Sequence, residues 1–253
     1  MKVEQFLLFI ATIIAATRVL AFFDLGDFPL IEFSYPALAA LAAYGTYSAM
    51  KRESGSTRKV LGLLTMGLVA WFFADLSWSV YVEVLKWDVP FPSIADVFYV
   101  LGWVPFVAAF YYKKRDLFVA EKVNGLTHVL GALLLVWTAW VVYLNVQNST
   151  GLELALNLFY IFAGFYIMYE YAFALSGSVL LKSSPFLRPW LFLAVGFFGF
   201  GVYNVAFARL TATDTYFAGH PIDLLYTLSY WMISVGAYAQ LKAGSFFKQA
   251  KKK

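Results

Sequence analysis

The chain has no cysteine, only two histidines and 13% charged residues over 253 positions. The missing cysteine excludes disulfides, cysteine-ligated zinc, iron–sulfur clusters and thiol catalysis. Two histidines, His128 and His220, cannot build a three-histidine metal site. They also fall near opposite membrane faces, which removes bis-histidine haem ligation. No Gly-x-Ser-x-Gly elbow, phosphate-binding loop or dinucleotide fingerprint occurs. No lysine lies inside an apolar stretch, so a retinal Schiff base is disfavoured. Nothing in the chain calls for a metal or cofactor.

The scarcity of charge has a counterpart. Hydrophobic residues make up 62% of the chain, and the mean hydropathy is +0.71. A soluble domain averages roughly 45–50% apolar and about 25% charged residues. Too little polar surface is left to cover a water-soluble globule. The composition therefore predicts an all-α, polytopic membrane bundle. Apolar stretches fall at approximately 5–23, 35–50, 60–82, 96–112, 124–145, 154–178, 189–209 and 223–241. They are continuous rather than alternating and too long for barrel strands. The first could pass for a secretory signal, but Arg18 and Asp24 interrupt the usual cleavage region, and it is expected to be a retained helix.

Threading the chain back and forth through eight spans puts 16 of the 19 Lys and Arg on one side. They cluster at Lys51 to Lys59, Lys113 to Lys122, Lys182 to Arg188 and in the tail from Lys242, with Lys2 at the start. Arg18, Lys86 and Arg209 fall toward the other face. By the positive-inside rule, both termini are expected in the cytoplasm and the protein in the cell membrane. The opposite segments are acidic, with Asp24, Asp27, Glu32, Glu83, Asp88, Asp96, Glu153, Asp214 and Asp223. Short membrane-flanking basic clusters do not suit nucleic acid. The tail KQAKKK suits a stop-transfer anchor or contact with anionic membrane lipids.

Two junctions resemble each other. PFPSIADVFYVLGW and GHPIDLLYTLSYW share Asp-x-x-Tyr-x-Leu, at Asp96, Tyr99, Leu101 and at Asp223, Tyr226, Leu228. Trp103 then aligns with Tyr230. The expected organisation is one integral membrane domain, 1–253, with parallel repeat halves 1–122 and 123–243 and a basic tail 244–253. Ser93-x-x-Asp96 after Pro92 reads as a capping box. Pro221 and Asp223 likewise mark a helix start. Helix capping and ligand binding are both open to the two aspartates.

Ionisable residues within spans need partners. Arg18 and Asp75 sit at similar depth in the outer half, and an ion pair between them is expected. Glu170, deep in the sixth span, is a proton-relay candidate, with His128, Tyr169 and Tyr171 as potential neighbours. Asn157 and Asn204 add polarity to the outer half. The candidate ligand-binding set is Arg18, Asp75, Asp96, Tyr99, Asn157, Asn204, Asp223 and Tyr226. Aromatics make up 20% of the chain. Those too deep for an interfacial belt, such as Trp71 and Phe197, are expected to pack between helices or to line an apolar cavity.

The stretch Pro92, Ser93, Ala95, Asp96, Tyr99, Leu101, Gly102 and Trp103 resembles the multi-span sensory region ahead of some prokaryotic diguanylate cyclases and histidine kinases. The resemblance covers spans three to eight. It implies a sensory module with a cytoplasmic or membrane signalling partner. In that family a signalling domain follows the last helix. This chain stops twelve residues after Leu241, as a stand-alone module or a truncated one would. The leading expectation is a sensory or ligand-binding module without catalysis of its own. A small secondary transporter using intramembrane carboxylates is the second reading. A membrane-embedded enzyme acting on lipids, with Asp75, Asp96 or Asp223 as acid or base, is the third.

Overall fold

The computed structural model describes residues 3–23, 31–117, 125–180, 188–217 and 219–250. Lys2, Asp24, Asp27, Lys122, Lys182 and Lys251 to Lys253 lie outside these residues, as do the side chains of Lys114, Arg115, Tyr171, Arg188 and Lys248. Among the described residues there are eight α-helices and no strand. They are α1 (Val3–Phe22), α2 (Ser34–Met50), α3 (Gly55–Ser79), α4 (Ile94–Leu117), α5 (Gly125–Asn148), α6 (Gly151–Leu180), α7 (Arg188–Ala212) and α8 (Ile222–Ala250). A single π-helical stretch, Val80–Leu85, prolongs α3.

Six of these helices are long and apolar enough to cross a membrane. Of the eight apolar stretches, the second and fourth are the short ones in the sequence; the fourth extends to 24 residues as α4, while α2 and α8 fall outside the six. α2 has only 17 residues. α8 is long but amphipathic, and it buries Thr227, Ser229, Tyr230, Ser234 and Gln240 toward its neighbours.

The helices close into a ring. α2, α3, α4, α6, α7 and α8 each pack on the next, and α8 returns to α2. α1 lies outside the ring against α2 and α8, and α5 lies outside against α6 and α7. The outer faces of both are apolar: Phe6, Phe9 and Ile13 on α1 and Leu133, Val136 and Tyr143 on α5 are exposed. Such faces are stable against hydrocarbon rather than water.

Without a hydrophobic drive between helices in lipid, close backbone approach and packing must hold them together. Glycines supply the approach on three seams. On α3–α4, a Cβ at Gly102 would lie 2.9 Å from the Gly67 carbonyl oxygen and 2.3 Å from Trp71. On α6–α7, Gly164 and Gly201 face each other's carbonyls at 2.9 and 2.8 Å. On α7–α8, Gly196 meets the Ser229 carbonyl at 2.7 Å and Gly236 meets that of Pro189 at 2.9 Å. The ring interior is filled by aromatics. Trp71 is 1% exposed, with Trp103, Phe106 and Phe200 edge-on at 5.3, 5.2 and 4.8 Å between ring centroids. Of the two expected roles for the deep aromatics, Phe197 packs between helices, and Trp71 both packs there and borders a cavity.

Charge separates by end. At the basic end, Arg52 pairs with Glu4, and Gln240 donates to Glu53 at 2.8 Å. Lys59 sits over Tyr112, and Lys113 over Trp190, each 3.6 Å from the ring centre. These contacts gather the start of α1, the α2–α3 turn, and the near ends of α4, α7 and α8. The opposite end carries Glu32, Glu83, Asp96 and Asp223.

The glycine seams generate a stability prediction. Gly102→Ala should lower bundle stability by about 1–3 kcal/mol through overpacking. Gly62→Ala meets only the flexible Met50 thioether, at 3.2 Å, and should change it far less. Unfolding of the detergent-solubilised chain followed by circular dichroism measures both.

Candidate functional site

The acidic end is organised around Asp75, late in α3 and 2% exposed. A buried carboxylate is costly unless hydrogen-bonded. Three phenols meet that cost. Tyr99 of α4 and Tyr226 of α8 both donate to its Oδ1, at 2.6 and 2.8 Å. Tyr230, one helical turn after Tyr226, donates to Oδ2 at 2.6 Å. Tyr99 and Tyr226 are the tyrosines of the two Asp-x-x-Tyr copies, so the similar junctions converge on one oxygen atom.

The aspartates of the same copies sit at the helix starts. Asp96 Oδ2 accepts the Ser93 backbone N–H at 2.7 Å and its hydroxyl at 3.1 Å, while Ser93 Oγ accepts the Ala95 N–H at 3.2 Å. The capping box is therefore formed. Asp223 Oδ2 accepts the Gly219 N–H at 3.0 Å. Gly219 has φ +87°, a region that favours glycine and that turns its N–H back toward the helix start. In each case the second carboxylate oxygen is taken by a tyrosine, from another helix for Asp96 and from the preceding loop for Asp223. Tyr160 of α6 donates to Asp96 Oδ1 at 2.7 Å, and Tyr216 donates to Asp223 Oδ1 at 3.3 Å. Burial, with the Asp223 carboxylate adding to it, pushes the Tyr216 phenol well above its usual range. That phenol stays protonated and able to donate.

These groups surround a cavity of about 60 Å³. Asp75, Asp96 and Asp223 line it, together with Tyr99, Asn204 and Tyr226. Six of the eight residues expected from sequence to bind a ligand thus share one space. The walls add Trp71, Trp78, Phe91 and Phe207, and the phenols of Tyr35, Tyr160, Tyr203 and Tyr216.

Two expected members stand apart. Arg18 does not pair with Asp75. Its Nη1 donates to Glu32 Oε1 at 2.8 Å, and its guanidinium lies 4.0 Å from the centre of the Tyr35 ring. The reason is neighbour order: α1 packs on α2 and α8, and Glu32 lies in the 3-10 turn Ile31–Phe33 that leads into α2. That turn is itself fixed, since the Glu32 N–H donates to Glu83 at 3.2 Å and its carbonyl accepts from Ser79 at 2.9 Å. Arg18 borders a neighbouring recess that shares Asp223 with the main cavity. Asn157 is fully buried, makes no side-chain hydrogen bond and is not in the cavity wall. Glu170 is half-buried on α6 and is not in the wall either.

Tyr160, Tyr216, Tyr203 and Tyr35 escaped sequence reasoning. With 17 tyrosines in the chain, none stands out alone. Tyr230 carried a usable signal, because it sits four residues from Tyr226 and so on the same helical face.

No protein-family model, curated protein or solved structure matches the chain.

The Asp75 cluster and the Arg18 pair can be separated by mutation. Tyr99→Phe and Tyr230→Phe should each cost about 0.5–1.5 kcal/mol, and Asp75→Leu should cost more by stranding three hydroxyls. A double-mutant cycle should give coupling above about 1 kcal/mol for Arg18 with Glu32 and near zero for Arg18 with Asp75. Equal couplings would refute the pairing described here.

Proposed function

We propose that the chain is a multi-pass sensory or ligand-binding membrane module that has no catalysis of its own and takes its ligand at the acidic end of the bundle. The observation that carries this reading is the cavity, lined by α2, α3, α4, α6, α7 and α8 and built from both Asp-x-x-Tyr copies. A ligand there would touch six helices at once and bias how they pack, and the ends of those helices would carry the change to a signalling partner at the basic end. The sequence resemblance to sensory regions of prokaryotic cyclases and kinases agrees with this. The carboxylates favour it over acid–base catalysis, since each is engaged by tyrosine donors.

The parallel repeat belongs to the same proposal. The ring order supports it: replacing α2, α3 and α4 by α6, α7 and α8 maps each neighbouring pair onto another neighbouring pair. α1 and α5 break the relation, since they lean on different partners. Charge segregation supports cytoplasmic termini, with the cavity facing outward.

Because the chain has no native cysteine, its orientation can be tested with single-cysteine variants. Thr213→Cys should react with an impermeant maleimide on intact cells, and Ser54→Cys only after permeabilisation. The reverse pattern would invert the topology. For the ligand reading, a panel of small metabolites and lipids should contain members that raise the melting temperature of the purified chain. If none does so and no partner co-purifies, the reading fails.

A further inference from the structure

The sign of the cavity and its unused hydrogen-bonding capacity agree on one ligand chemistry. Three carboxylates face it, from Asp75, Asp96 and Asp223, and among the described residues no Lys, Arg or His lines it. Arg18, the basic residue buried at this end, is already matched by Glu32 at 2.8 Å. The contacts of Asp75 at 2.6 Å and Asp96 at 2.7 Å use these carboxyl oxygens as acceptors. No cationic side chain among the described residues lines the space to balance them.

The donors are mostly spent. Four wall tyrosines have given their hydroxyl hydrogens to the carboxylates. Asn204 donates to the Phe200 carbonyl at 2.8 Å and makes no other hydrogen bond among the described residues, which leaves its amide oxygen open to the cavity. A carboxylate accepts about four hydrogen bonds, and Asp75 receives three. What remains is acceptor capacity, and an incoming ligand has to bring the donors. The rest of the wall is aromatic, with Trp71, Trp78 and Phe91. Ring faces attract cations and also accommodate methyl groups. An inorganic cation would bring no N–H donors and no alkyl group to cover those faces, and an anion would meet a wall of acceptors.

We propose that the cavity binds a small alkylammonium ion, its N–H groups directed to Asp75 and Asn204 and its alkyl part against the aromatic wall. This rests on reading the bundle as a ligand-binding module. About 60 Å³ holds roughly four water-sized groups, which suits an amine of a few non-hydrogen atoms.

The test uses the full chain in detergent, with isopropylammonium chloride, its neutral near-isostere 2-propanol, and sodium acetate at matched ionic strength. Intrinsic tryptophan fluorescence reports binding, since Trp71 and Trp78 line the space. Isopropylammonium should give a saturable change and raise the melting temperature, while the other two give neither. Asn204→Leu should weaken the ammonium response at least fivefold without shifting the melting temperature of the unliganded chain. Tyr143→Phe, on the exposed face of α5 and outside the cavity wall, should bind as well as the parent, which supplies a folded control. Saturable binding of 2-propanol or acetate equal to that of the ammonium would overturn the cationic assignment while leaving the ligand-binding reading intact. No saturable response to any of the three would overturn the site itself.

Discussion

A carboxylate buried in a helical bundle is costly unless its oxygens are hydrogen-bonded, and the groups around Asp75 are arranged to meet it. Three phenols, from α4 and α8, do so within 2.8 Å. Because the tyrosine side chain is long and stiff, these contacts fix both the depth of each helix and the face it turns inward. Trp71 lies one turn before Asp75 on the same face, and its ring becomes the floor on which Phe200, Tyr226 and Tyr230 pack. Cavity, aromatic core and helix order follow from satisfying one acidic group.

The abundance of tyrosine has a matching explanation. A bundle that buries carboxylates could pair them with Lys or Arg, at the cost of desolvating a second charge. A phenol offers a strong donor on an apolar body and adds no charge. The chain uses the guanidinium solution once, at Arg18 and Glu32, and the phenol solution at Asp75, Asp96 and Asp223. The aspartates of the acidic end are therefore hydrogen-bonded without a second charge being buried beside them.

Much of this was legible in the sequence because the signals were local. Continuous apolar runs located the helices. Ser93-x-x-Asp96 announced a cap that the structure forms. The twin Asp-x-x-Tyr motifs marked residues that meet in space. The ion pair of Arg18 was misread for a physical reason. Rise per residue ranks partners by depth, and Asp75 and Glu32 both qualify; only lateral neighbour order separates them, and periodicity does not encode it. The same gap hid Tyr160, whose contact with Asp96 spans 64 positions. It also hid the polar stripe of α8, which the ring shelters, whereas the shortness of α2 was already plain in its apolar run.

The glycine seams impose a mechanical division on the ring. α3 and α4 are locked backbone to backbone through Gly67 and Gly102, and α6, α7 and α8 are locked through Gly164, Gly201, Gly196 and Gly236. Two stiff blocks result. Between α4 and α6 there is no such glycine contact among the described residues, and the hydrogen bond from Tyr160 to Asp96 crosses the gap at the acidic end. Any displacement of one block against the other would meet the least backbone contact along that line, and the cavity lies across it at the end that Tyr160 and Asp96 tie together.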